Sequence, residues 1–157
     1  MSRRRRAGVV AALLAAAAGV VTGIVTVASG GRESGEQTRA AYLAEVAAIC
    51  ETYGRQLDEI PPPSDPASPG AVFESIGRAL PILREQAQRL RVLEAPAELA
   101  LQIDRFFALT DQSIVALERA RHEAGRRALF PMVQAIAAFE AVRDKAKNLA
   151  RAIGFRC

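Results

Sequence analysis

The stretch FESIGRALPILREQAQRL, residues 73–90, places apolar side chains at Phe73, Ile76, Leu80, Leu83, Ala87 and Leu90. Alternating steps of three and four trace one face of a helix, in the spacing by which helices pack into bundles. Just upstream, Ser68-Pro69 predicts the helix start: a capping hydroxyl, then a proline whose missing amide would be unpaired anyway. Pro81 lies inside the run and predicts a kink near residues 77–80, not a break.

Working outward, the same periodicity recurs three more times. Pro96 opens a run with Leu99, Ile103, Phe106, Thr110, Ile114 and Leu117 inward, and Gly125 is expected to end it and turn the chain. A run from about Arg127 to Ile153 offers Phe130, Val133, Ile136, Phe139, Val142 and Leu149, with Gly154 as its cap. Pro131 falls near its first turn, where it costs little. Upstream, Arg39 to Ile60 offers Leu43, Val46, Cys50, Tyr53, Leu57 and Ile60, and stops at Pro61-Pro62-Pro63. No segment alternates as a strand does. The expected fold is all-α, an antiparallel up-down four-helix bundle over residues 39–157.

Residues 1–38 read differently. Ala7 to Ala28 carries no charge over 22 residues, which as a helix would span ~33 Å, about the thickness of a hydrocarbon core. Arg3, Arg4, Arg5 and Arg6 precede it, and a basic flank stays on the cytoplasmic side. The expectation is a cytoplasmic tail at 1–6, a transmembrane signal-anchor at 7–28, a Gly-rich tether at 29–38 and an extracytoplasmic bundle. The alternative is secretion after cleavage near Ala28 or Ser29. Small residues Ala15, Gly19 and Gly23 recur every four positions in the apolar run and would let two such helices pair into a homodimer.

The chain has 157 residues, with 21 Lys+Arg against 17 Asp+Glu. Four of the basic residues are the leading arginines, and the other 17 balance the 17 acidic ones. The bundle is therefore formally neutral and carries no footprint for nucleic-acid phosphates. Partners are expected to be the lipid bilayer, through residues 7–28, and another envelope protein.

Chemistry is scarce. His122 is the only histidine, so schemes that need a pair are excluded. Glu118 precedes it by one helical turn, and an exposed His near a helix C-terminus accounts for it. No serine sits in a nucleophile turn and no phosphate-binding glycine loop occurs. Asp104, Asp111 and Glu118 form an acidic stripe every seven residues, and Arg84 with Arg91 a basic one. Such stripes suit pairing between neighbouring helices, with a partner surface as the other reading. The chain is expected to be non-catalytic and to need no cofactor or metal.

Cys50 lies on the first helix and Cys157 ends the chain. First and last helices adjoin in a four-helix bundle, so the two sulfurs can meet if the tail after Gly154 folds back. An oxidising compartment would keep that bond. Two separate thiols, one buried and one exposed, are the alternative.

Ala48-Ile-Cys-Glu51, the Pro-rich loop from Pro61 to Pro69, Leu93-Glu-Ala-Pro96 and Ile153-Gly-Phe-Arg-Cys157 together form a recognisable pattern. It resembles small extracytoplasmic helical proteins of unknown function from high-GC Gram-positive bacteria. The resemblance implies a two-cysteine helical bundle with Cys50 and Cys157 paired, and it brings no catalytic residue or ligand. The expected role is a membrane-tethered interaction module. The alternative is a binding protein that holds a small apolar ligand in the bundle core.

Overall fold

The computed structural model describes residues 38–157. The described residues form four helices: α1 (Arg39–Asp58), α2 (Pro69–Arg91), α3 (Ala100–Gly125) and α4 (Leu129–Ile153), with a 3-10 turn at Ala97–Leu99. No strand occurs among them. The apolar run at 7–28, the four arginines and the stripe Ala15, Gly19, Gly23 lie outside the described residues. None of the described helices is long and apolar enough to cross a membrane.

The helix ends have local causes. Thr38 caps α1, its hydroxyl accepting from the Ala41 amide at 3.3 Å, and the three prolines after Ile60 stop further helix. In the following loop the Asp65 carboxylate accepts from the Ala67 amide at 2.9 Å. At the start of α2 the expected Ser68 hydroxyl cap does not form. Pro69 needs no amide partner, and the Ser68 carbonyl accepts from Val72 at 3.1 Å. α2 then continues unbroken through Pro81, whose side is exposed. Pro96 leads into the 3-10 turn first and α3 only from Ala100.

The α3–α4 turn corrects one expectation. Gly125 is the last helical residue, and the left-handed position is Arg127, at φ 57°. Amides of Arg127 and Ala128 bond back to the carbonyls of Ala124 and Glu123, a Schellman closure. Gly125 serves close packing instead: a Cβ there would lie 3.2 Å from the Phe73 ring, which would have to shift slightly. α4 closes as expected on Gly154, at φ 103°.

Buried side chains divide into two clusters. One gathers at the end where α1 begins and α4 ends, around Tyr42, Val46, Leu90, Phe106, Ile153 and Phe155. The other holds the far halves of α2, α3 and α4, around Ile76, Leu80, Leu117, Ala120, Met132 and Phe139. No residue of α1 joins the second cluster. α3 and α4 pack most closely, α2 against α3 next, and α1 leans on α2 without close backbone approach to α4. The Arg84–Glu118 and Arg91–Asp111 ion pairs join the two stripes and show α2 and α3 antiparallel, one number rising as the other falls. Asp104 takes no part in them.

The inward face of α4 is a second correction. Phe130 and Val133 are 71% and 52% exposed, while Met132, Ala135, Ala146 and Ala150 are buried. α3 presents Ala120 and Ala124 to this seam. A close helix approach favours small side chains there, so the bulky residues of the first turn of α4 are turned outward.

Candidate functional site

Where the two clusters meet, the bundle leaves a groove open to one side. A cleft of about 530 Å³ runs through its middle, lined from all four helices and the C-terminal tail. The volume falls within the roughly 300–1,000 Å³ of small-molecule sites. Its origin lies in side-chain size. Along α4, beyond Phe139, Ala146 and Ala150 line the cleft, and α2 contributes Ala79 and Ala87 to the lining. On α3 the corresponding stretch carries Thr110 and Ser113. Small residues opposite one another close a seam only if the backbones come together. Here α1 makes no close backbone approach to α4, and Leu57 of α1, with Ile60 and Pro63 just after it, lines the cleft.

The lining is apolar in effect. Phe106, Phe139 and Phe155 contribute rings, and Ile76, Leu83 and Leu117 aliphatic walls. Both α3 hydroxyls are already engaged: Thr110 donates to the Phe106 carbonyl at 2.9 Å, and Ser113 to the Thr110 carbonyl at 2.8 Å. Charge appears only at the edge, as Arg143, Lys147, Arg151 and Arg156, and no Asp or Glu lines the cleft. The exposed lining residues Lys147, Arg151, Arg156 and Cys157 all belong to α4 and the tail, so the cleft opens along that side.

The tail straps the open side at one end. Cys50 and Cys157 are disulfide-bonded, with Cα atoms 4.9 Å apart across 107 residues of sequence. The second sequence expectation, two separate thiols, is not what the structure has. Phe155 packs edge-on to Phe106, ring centres 5.1 Å apart, and lies 6.0 Å from Tyr42. The Arg39 guanidinium donates to the Ile153 carbonyl at 3.1 Å. Tyr42 is almost wholly buried here, and burial pushes its phenol above the ordinary value of 10.0.

No family model, curated protein or solved structure matches this chain.

His122 is exposed near the C-terminus of α3, and Glu118 is engaged with Arg84 on α2. No group of three or more His, Cys, Asp and Glu among the described residues is placed to hold a metal. Among the described residues one unpaired side-chain polar atom is buried: Nε of Arg121, whose guanidinium lies 4.5 Å over the Phe73 ring and beside Gly77. It packs between α2 and α3 and does not reach the cleft lining. Sequence reasoning identified the two cysteines and the phenylalanines. It placed Ala87 on the inward face of α2 but missed Ala79, Ala146 and Ala150, small side chains that carry little periodic signal.

Proposed function

We propose that this chain is a non-catalytic binding module whose bundle holds a small apolar ligand in its central cleft. The observation that carries this reading is the 530 Å³ of apolar space bounded by rings at Phe106, Phe139 and Phe155. Space of that size in a core this small forfeits packing, since unfilled volume costs stability. An occupant that brings its own apolar surface restores those contacts. In the same reading the leader presents the bundle outside the cell: Arg3 to Arg6 hold the N-terminus in the cytoplasm, residues 7–28 cross the bilayer and residues 29–38 act as tether. The resemblance to extracytoplasmic two-cysteine helical proteins agrees with that placement.

A dye that fluoresces in apolar surroundings tests the reading. The full chain, held in nanodiscs of neutral phospholipid, should bind N-phenyl-1-naphthylamine saturably, at about one dye per chain above empty nanodiscs. Ala146→Leu obstructs the cleft and should weaken that signal several-fold while leaving helix content unchanged. Dye binding indifferent to Ala146→Leu would defeat the proposal.

A second reading, docking to another envelope protein, is favoured by Leu129, Phe130 and Val133. These are large apolar side chains exposed together on the first turns of α4. They lie 23 residues of helix from Ile153, roughly 35 Å from the end where the tether joins. In-cell crosslinking with an affinity tag in the tether tests it. A reproducible foreign partner lost on Phe130→Ser would support docking, and self-crosslinks alone would count against it.

A further inference from the structure

The charged side chains of the cleft lining are all basic, and that asymmetry specifies an occupant. Arg143, Lys147 and Arg151 recur every four residues, so they form one stripe along α4 beside the apolar lining, and Arg156 follows from the tail. Their present partners differ. Arg143 pairs with its neighbour Asp144 at 3.6 Å and lies 5.6 Å from the Phe139 ring. Arg151 bonds the Asn148 amide oxygen at 3.2 Å. Lys147 and Arg156 have no ion-pair partner among the described residues. Elsewhere on the bundle, cations of α2 at helix seams are matched by acids of α3, as in Arg84–Glu118 and Arg91–Asp111. Here the lining supplies four cations and no carboxylate side chain.

The geometry points to an anionic single-chain amphiphile: one acyl chain laid in the cleft, its charged head at Lys147 and Arg156. Lys and Arg suit that boundary, since their aliphatic stems lie along apolar surface while their heads stay in water. The dimensions agree. From Phe139 to Arg151 the lining of α4 extends over 12 residues, roughly 18 Å of helix. One leaflet of a bilayer, half of a hydrocarbon core of about 30 Å, measures about 15 Å. The chain would enter at the Lys147–Arg151 edge and end against Phe139 and Leu117. The inference rests on the cleft being a ligand site, and it adds the head-group charge and the single chain. A carboxylate and a phosphate monoester share the chemistry required.

The test uses the full chain in nanodiscs of neutral phosphatidylcholine. It is photolabelled with hexadecanoate, hexadecyl phosphate or hexadecanol, each carrying a diazirine on the chain, and labelled peptides are quantified by mass spectrometry. All three should label residues 79–90 and 139–151. The two anions should half-saturate at roughly tenfold lower concentration than the alcohol, as two exposed ion pairs allow. Lys147→Gln with Arg156→Gln should erase that preference and leave the alcohol within about twofold. The preference should also shrink as salt is raised. A preference for one anion over the other identifies the source as fatty acid or phosphate ester and supports the inference. Equal labelling by alcohol and anions, unaffected by the double variant, overturns the head-group assignment and leaves the apolar cleft standing. Absence of saturable labelling by all three overturns both, and so does a second copy of the chain crosslinked across the cleft.

Discussion

Alanines line two seams of this bundle with opposite results. Between α3 and α4, Ala120, Ala124 and Ala135 let the helices approach closely, and Met132 fills what remains without exposure. On the cleft side, Ala146 and Ala150 of α4 and Ala79 and Ala87 of α2 line open space instead. The residue type is the same; the difference is what holds the backbones. α3 and α4 are joined by a tight Schellman turn and settle against each other. α1 is fixed to the end of α4 by the disulfide, Phe155 and the Arg39–Ile153 bond, while its other end leads into the proline loop. A strap at one end keeps α1 in place without drawing it onto α4.

That comparison breaks most severely if the strap is cut. A bond closing a loop of ~100 residues stabilises by about 4–5 kcal/mol in the chain-entropy model. Reduction, or Cys157→Ser, should lower the denaturant unfolding free energy by about 2–5 kcal/mol, with α1 losing amide protection before α3 and α4. Unchanged stability on reduction would remove the strap from the account.

A paired substitution sharpens the contrast at smaller cost. Ala120→Leu overpacks a fully enclosed site and should destabilise by about 1–3 kcal/mol. Ala146→Leu enters the cleft and should be neutral or stabilise by up to about 1 kcal/mol, as cavity filling does. Equal losses at the two alanines, measured by urea unfolding, would mean that the seams do not differ.

The smallest effect is alkaline. Folded Tyr42 holds its proton above the unfolded value of 10.0 because burial disfavours the phenolate. Between the two values the folded chain binds the extra proton. This stability is therefore complete below pH 10 and is lost as pH rises through the folded value. Tyr42→Phe should flatten the pH dependence of unfolding above pH 10, and an unaltered slope would contradict the assignment.

Much of this architecture was legible because bulky residues carry periodicity. α2 reads correctly from Ile76, Leu80, Ala87 and Leu90, all buried as the spacing requires. The seven-residue stripes likewise foretold Arg84–Glu118 and Arg91–Asp111. α4 misled for the same reason. Phe130 and Val133 dominate its pattern, yet a close seam selects alanine, and alanines carry little signal. Gly125 looked like the left-handed turn residue, whereas its lack of a side chain serves the Phe73 ring. The cleft is a property of four helices and a tail together. No single run of sequence reveals that Ala79, Ala87, Ala146 and Ala150 line one cleft.

The most direct measurement is hydrogen–deuterium exchange of the full chain in neutral nanodiscs, with and without a saturating single-chain apolar ligand. The account predicts added protection in residues 79–90 and 139–151, where the cleft lining lies. Protection confined to residues 129–133, or none, would contradict it.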